Sequence, residues 1–514
     1  MATGLSLNII TPAHHWRRFD GLEKENVMKI CKKIPLAVSL VPVLVLAALL
    51  LVVIVFCGED SMNGGSQLSI LAASAVGAAI AMGFYGVEWS TIEKAIVENI
   101  KSSSVSMLIL LLIGAISGSW MLSGIVPTMI YYGVDILHPS VFLVAACVIS
   151  AVVSVVTGSS WTTCATIGVA LMGVAYSLDF PLYWVAGAVI SGAYFGDKIS
   201  PLSDTTVLAS STAGVHLFAH IRFMLFTTIP SILVALAVYF VAGLFIYDST
   251  AMADNELPAA LCKAFNISPW LLLVPLFTFL LIARRVPVLI TLFLSVVAAS
   301  VAMVLAQPQV VESLGGSGLS FEGVVRSVLA ACCNSTSIST GNAVLDELVA
   351  TKGMAGMLNT IWLIMSAMCF GGVLVGSGIA HSITSAIIKR VNNVVRAVMA
   401  TVSTGLFFNV CTGDQYMSII LACELNKESF DSLGVERRVL SRAVEDSATV
   451  VSVLIPWNTC AVAQSSVLGV PTFLYLPFCV FNLVSPFMSV LVAALYSGRY
   501  SGRMDGDETE CTGF

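Results

Sequence analysis

Long apolar runs constrain this chain more than any other feature: Leu36 to Cys57, Leu68 to Phe84, Phe223 to Ile246, Val286 to Ala306 and Phe473 to Leu495. Each is close to the roughly 20 residues a helix needs to cross the hydrocarbon core of a bilayer. Apolar residues make up 57% of the 514 and charged residues only 11%, where a soluble domain carries roughly 25% charged residues. The pattern predicts an all-α polytopic membrane protein. The first run is longer than a signal-peptide core of roughly 7–15 residues, and no A-x-A-like cleavage site follows it closely, so it is expected to be a retained span. Arg17, Arg18, Lys24, Lys29, Lys32 and Lys33 precede that span, whereas Glu59 and Asp60 follow it without a basic residue. The positive-inside rule then puts the N-terminus in the cytoplasm of a cell that carries the protein in its plasma or inner membrane.

The net charge of −6 over 514 residues is too weak to suggest a nucleic-acid partner. The 13 cysteines form no C-x-x-C pair and fall mostly inside apolar runs, as Cys147, Cys164, Cys369, Cys411, Cys423 and Cys479 do. They are expected to pack as small hydrophobes, with no metal site and no cofactor. Membrane lipid and small transported solutes are the expected partners.

The chain repeats itself. Leu112 to Ile125 reads LIGAISGSWMLSGI and Ser366 to Ile379 reads SAMCFGGVLVGSGI, which pairs Gly118 with Gly372 and Gly124 with Gly378. Thr157-Gly158-Ser159-Ser160-Trp161 matches Thr412-Gly413-Asp414-Gln415-Tyr416. A third polar cluster, Ser203 to Val207, is matched with Glu445 to Thr449, where the offset between halves slips. Such ordered matches indicate internal duplication. Duplicated membrane proteins with interrupted helices at corresponding places are typically secondary transporters that hold substrate at the repeat interface. The expected organisation is a basic tail over 1–33, a leading helix and loop over 34–66 and a first repeat over 67–250. A connecting loop with transmembrane helices follows over 251–320, then a second repeat over 321–497 and a polar tail over 498–514. Asp248 to Pro269 and Gln307 to Phe321 are expected as polar loops, and Phe321 to Cys333 along the membrane surface.

A carboxylate inside a bilayer is costly unless paired, neutral or hydrated, and Asp197, Asp204, Asp414, Glu445 and Asp446 all fall in or beside interrupted stretches. Gly196 and Pro201 break the helix around the first two, because proline removes a donor and disfavours helix at the residue before it. Freed carbonyls with Ser, Thr and Asp oxygens suit a hard cation. Structural alternatives exist for each acid. Asp197 can pair with Lys198, Glu445 with Arg442 one turn earlier, and Asp414 can cap a half-helix. His216 and His220 stand four apart and can sense pH or serve packing.

The blocks Thr157 to Thr163, Tyr194 to Thr206 and Leu217 to Ile221, with Asp414 to Ile419, Glu445-Asp446-Ser447 and Leu454 to Cys460, resemble the signatures of the NhaC-type sodium/proton antiporters. That resemblance spans roughly residues 35 to 496. It implies two inverted repeats with broken or re-entrant helices, as in the ion transporter superfamily, and a transport domain moving like an elevator against a scaffold that commonly dimerises. The implied activity is sodium exchanged for protons, with a related branch exchanging malate for lactate. One acidic site that binds either a cation or protons makes the return journey with the other obligatory. Asp204 and Asp446 are assigned the main role, with Asp414, Glu445 and Asp197 supporting, and Thr157, Ser159, Thr205, Ser447 and Asn458 as neutral oxygens around Na+. The alternative is an organic-anion or amino-acid exchanger, with Lys198 as the basic residue. An intramembrane hydrolase is disfavoured, since Gly158-Ser159-Ser160 lacks the G-x-S-x-G pattern and no His lies nearby.

Overall fold

The computed structural model describes residues 34–57, 64–136, 138–246, 257–316, 320–338, 346, 349–389 and 391–500. The basic tail of 1–33, Glu59 and Asp60, and tail residues 501–514 lie outside the described residues. The described chain is helical throughout, apart from one isolated bridge between Thr336 and Thr351.

Two helices lead: α1 (Val41–Cys57) and α2 (Gly65–Tyr85). The first half continues with α3 (Trp89–Ser102), α4 (Ser104–Leu122), α5 (Ile125–Ile136) and α6 (Phe142–Thr157). Next, α7 begins at Ser160–Thr163, passes a π-helical turn at Cys164–Gly168 and ends as Val169–Ser177. α8 (Leu182–Ile199), α9 (Asp204–Ala213) and α10 (Leu217–Ile246) complete this half. Between the halves stand α11 (Leu273–Ala283) and α12 (Val288–Ala306). The second half has α13 (Phe321–Cys333), α14 (Leu358–Gly376), α15 (Ile379–Ile388), α16 (Val394–Thr412) and α17 (Gln415–Ser432). α18 runs as Arg437–Val444 into a π-turn at Glu445–Thr449 and a final 3-10 turn at Ser452–Leu454. α19 (Thr459–Leu468) and α20 (Val480–Tyr500) close the order.

Eight of these helices are long and apolar enough to span a bilayer, or ten if each bent pair counts as one span. Helix α10 shows why the surroundings must be hydrocarbon: only 28% of its most apolar window is buried, and Phe245 is 84% exposed. Apolar surface of that extent in water would drive association. The chain is therefore a multi-pass membrane protein.

Elements α3–α10 recur in order as α13–α20, and the packing crosses between the sets. Helix α3 lies on α14, and α13 lies on α4. The matched glycines are the contact points. A Cβ at Gly118 would sit 1.9 Å from the Ala331 carbonyl oxygen, and one at Gly372 would sit 2.5 Å from Ile96 Cα. Likewise α9 packs on α17, while α19 packs on α7. Gly158 and Gly413 both take left-handed φ, at 65° and 64°, a region glycine enters without a Cβ penalty. They let α6 and α16 end and the chain turn directly into α7 and α17.

The structure corrects the third sequence match. Ser203 caps α9 and Asn458 caps α19, so the counterpart of Ser203 to Val207 is Asn458 to Val462 and not Glu445 to Thr449. The offset does not slip, and Pro201 falls opposite Pro456. The acidic pair instead occupies the π-turn of α18, opposite the interior of α8.

Two expected loops contain helices. Residues 248–256 lie outside the described residues, but Leu257–Ala264 is helical because Leu261 and Phe265 bury against the α5 cluster. Pro308–Gly315 is also helical, with Val310 and Val311 buried and the turn packed against α13. Helix α20 continues to Tyr500, past the expected start of the tail at 498.

Replacing Gly118 or Gly372 by Ala is expected to cost about 1–3 kcal/mol through overpacking, measured as a lower melting temperature in detergent. Gly83→Ala, where an added Cβ has nothing within 4 Å, is the control and should leave stability unchanged or raise it by up to about 1 kcal/mol.

Candidate functional site

Four helix tips meet where the breaks occur, and each needs a side chain to satisfy its first amide groups. Ser159 Oγ accepts from Thr162 N at 3.3 Å, and Ser203 Oγ accepts from Thr206 N at 3.4 Å. Asp414 Oδ1 accepts from Met417 N at 2.9 Å, and Asn458 Oδ1 accepts from Cys460 N at 3.1 Å. The tips are tied together by Thr459 N donating to Gly413 O at 2.8 Å.

Two groups of charged side chains lie at this junction. In the first, Asp197 is buried at the end of α8. Its Oδ2 accepts from the Ser160 hydroxyl at 2.7 Å and from the Ser160 amide at 3.2 Å, so the N-terminus of α7 faces it. Its Oδ1 has no hydrogen bond among the described residues. Asp204 opens α9 and is exposed. Its Oδ1 accepts from Thr205 N at 3.0 Å, and its Oδ2 accepts from the Tyr416 hydroxyl at 2.6 Å, a link between the two halves. Thr205 Oγ1 stands 2.9 Å from Ser203 Oγ. Thr206 Oγ1 donates to the Lys198 carbonyl at 3.0 Å, satisfying a carbonyl that the break frees.

The second group surrounds Asp446 on the π-turn of α18. Lys198 forms a fully buried ion pair with it. Thr227 Oγ1 of α10 donates to Asp446 Oδ1 at 3.1 Å and Ser485 Oγ of α20 at 3.3 Å. Arg442 Nε lies 4.0 Å from Asp446 Oδ2, and the Arg442 guanidinium also covers the Phe223 ring at 4.7 Å. Glu445 is buried beside this group, near Lys198 and Asp197, with no hydrogen bond to either carboxyl oxygen among the described residues. A π-turn of this kind often marks a functional position in a helix.

Several expected assignments change. Lys198 pairs with Asp446 rather than with its neighbour Asp197, because consecutive helix residues point apart. Arg442 approaches Asp446, four residues on, rather than Glu445. Asp414 is the cap of α17, and its second oxygen accepts from Ser103 at 3.0 Å. Asn458 is a cap whose amide donates to Asn409 Oδ1 at 3.1 Å. Ser447 Oγ donates back to Ala443 O at 2.7 Å within its own helix. Thr157 Oγ1 stands 3.2 Å from Thr163 Oγ1 inside the α6–α7 turn, half-buried like Ser159. His220 Nδ1 meets Ser441 Oγ at 2.8 Å, while His216 is exposed, so the two do not act as a pair.

Ser160, Tyr416, Thr227 and Ser485 join the site without having been singled out. Thr227 and Ser485 are hydroxyls in apolar helices just ahead of the interior prolines Pro230 and Pro486. A polar residue beside a helix-interrupting proline at matched places in both halves was the available signal.

The profile of the Na+/H+ antiporter family matches residues 2–222 and 192–495. The chain is 35% identical over 411 residues to the Na(+)/H(+) antiporter NhaC of Bacillus subtilis (strain 168), covering 80% of this chain and 88% of that protein. It is 33% identical over 418 residues to the malate-2H(+)/Na(+)-lactate antiporter of the same organism, covering 80% and 86%. It is 32% identical over 475 residues to the arginine/ornithine antiporter ArcD of Halobacterium salinarum (strain ATCC 700922 / JCM 11081 / NRC-1), covering 92% and 94%.

Breaking the buried Lys198–Asp446 pair from one side is expected to cost about 3–5 kcal/mol, because it leaves an uncompensated buried charge. Asp446→Asn should therefore lower the melting temperature sharply. The double replacement Lys198→Met with Asp446→Leu should recover most of the loss.

Proposed function

The chain belongs to the Na+/H+ antiporter family, and from that premise we propose that it is a secondary active transporter exchanging Na+ for H+ across the cell membrane by alternating access. The observation that carries this reading is the Asp197–Asp204 pair at the break between α8 and α9. One carboxylate is buried and faces a helix N-terminus, and the other is exposed at the mouth. Two acids at one interruption, with hydroxyls of Ser160, Ser203 and Thr206 around them, suit a small hard cation. Protons compete for the same carboxylates, since a carboxylate oxygen binds either a proton or a cation. Exchange then follows because the site crosses loaded either with a cation or with protons.

Asp197 and Asp204 take the leading role in this reading, with Glu445 as a further carboxylate within the same buried region. Asp446 is the counter-ion of Lys198 and acts by holding that lysine away from the cation. Asp414 and Asn458 secure the helix tips against which the site is built. The crossed packing of α3 on α14 and α13 on α4 supports two inverted repeats, since a two-fold axis in the membrane plane exchanges such contacts. Movement of one unit against the other, in the manner of an elevator, is the alternating-access step of the proposal. The basic residues ahead of α1 support a cytoplasmic N-terminus.

A second reading keeps the fold and changes the cargo to an organic anion or an amino acid, with Lys198 or Arg442 facing its carboxylate. The neutralisation of Lys198 by Asp446 weighs against it.

Proton movement in proteoliposomes decides between them. Sodium added outside, without organic solute, should produce a pH change inside. Silence until malate, lactate or an amino acid is supplied would move the chain to the second reading. Asp204→Asn is expected to lower sodium-driven exchange by about a hundredfold or more while leaving the melting temperature close to that of the parent, since Asp204 is exposed. Each unit drop in pH across the titrating range should raise the apparent sodium KM about tenfold, as direct competition requires. A KM independent of pH would contradict a shared site.

A further inference from the structure

We infer that Tyr194 is a further ligand of the transported cation, its hydroxyl and the free oxygen of Asp197 forming an enclosed inner site behind the exposed Asp204 carboxylate. The inference rests on the cation-exchange reading and adds a residue and a location to it.

Tyr194 is among the largest fully buried side chains, 1% exposed, in the last turns of α8. It stands three residues before Asp197, so the two side chains share a helix face. Buried tyrosine hydroxyls nearly always find a hydrogen-bond partner. The Tyr194 hydroxyl has none among the described residues, and neither has Asp197 Oδ1. Two oxygens on one face of one helix, both inside the protein and both lacking a donor, form a set of electron pairs awaiting an acceptor.

The opposite wall comes from the second half. Ser452 and Cys460 are the polar neighbours of the Tyr194 hydroxyl, together with Asp197. Ser452 stands opposite Asp197 in the corrected repeat register, so the inferred site straddles the junction of the two halves. The Ser452 hydroxyl donates to the Thr449 carbonyl at 2.7 Å, which leaves its lone pairs available. The Cys460 thiol donates to Gln415 Oε1 at 3.3 Å, and sulfur is a poor ligand for a hard cation. One carboxylate, one phenol and one hydroxyl therefore converge from α8 and from the end of α18. A carboxylate among neutral oxygens suits a small, dehydrated hard cation.

Asp204 and Asp197 then divide the work by depth. Asp204, exposed and held by Tyr416, meets the hydrated ion at the mouth. Asp197 and Tyr194 take it after water is stripped, at a place that both halves must approach together.

The test uses the full-length protein, with sodium as the probe. Tyr194→Phe keeps the ring and removes only the hydroxyl, whose polar neighbours Ser452 and Cys460 donate their own hydrogen bonds elsewhere. In proteoliposomes its sodium KM should rise about ten- to hundredfold, the loss expected when one contact to a charged group disappears. In detergent, the rise in melting temperature that sodium confers on the parent by binding the folded state should shrink at the same concentrations, while the sodium-free melting temperature stays unchanged. A structural role alone would move the sodium-free value instead. A parental KM together with a parental sodium-dependent melting shift overturns the inference. If Tyr194→Phe does not fold, Ser452→Ala probes the opposite wall, and a parental sodium KM in that variant overturns it equally. A parent protein that ignores sodium but responds to an organic solute overturns the cation-exchange reading itself, and that result appears in the parent arm before any variant is compared.

Discussion

A bilayer interior supplies no water to an unpaired peptide group, so each helix that stops inside it must have its end groups satisfied by the protein. That requirement shapes the centre of this molecule. Helices α7, α9, α17 and α19 begin at Ser159, Ser203, Asp414 and Asn458, each accepting from an amide of its own first turn. The freed carbonyls at the end of α8 are taken by Thr206. With the tips closed this way, Asp197 Oδ1 is a buried side-chain oxygen at the first break that has no hydrogen bond among the described residues.

The two halves use the same scaffold for different chemistry. At the first break stand Asp197, Lys198 and Asp204, and their counterparts at the second are Ser452, Val453 and Thr459. In the other direction Glu445, Asp446 and Asp414 face Ile190, Ser191 and Ser159. Every one of these acids has a neutral partner across the repeat. The second break is closed by amides, with Gln415 donating to Thr449 O at 2.9 Å and Asn409 to Ala448 O at 2.8 Å. The first break keeps charge and an exposed mouth. The recurring elements share one geometry, and the charged side chains are distributed unequally over it.

Much of this could be read from the chain. Apolar runs near 20 residues identified the spans, and the Thr-Gly pairs at 157–158 and 412–413 located the left-handed turns, because only glycine enters that conformation freely. Gly118 and Gly372 matched for a physical reason, close crossing of a helix from the opposite half. The third match failed because it compared polar clusters by composition. Pro201 and Pro456 kept the true register, since a proline after a helix end is fixed by backbone geometry, whereas an acidic pair can move within a fold. The partner of Lys198 was not legible at all. Asp446 is 248 residues away, and the packing of both α8 and α18 on α20 brings the two together. The helices at Leu257–Ala264 and Pro308–Gly315 were missed because short segments draw their stability from tertiary burial rather than from propensity.

The Lys198–Asp446 pair next to Asp197 has an electrostatic consequence. Lysine, unpaired, would stand one residue from the proposed cation site and repel any ion entering it, by an amount that grows as the local dielectric falls. Asp446 cancels that field, with Thr227 and Ser485 fixing its carboxylate from α10 and α20. Those two helices carry Pro230 and Pro486 at matched positions, and interior prolines are where helices bend. A bend there would move Thr227 and Ser485 relative to Asp446 and so alter how fully the lysine is neutralised. In the proposed exchange, cation affinity at the break would thereby be tied to the shape of α10 and α20.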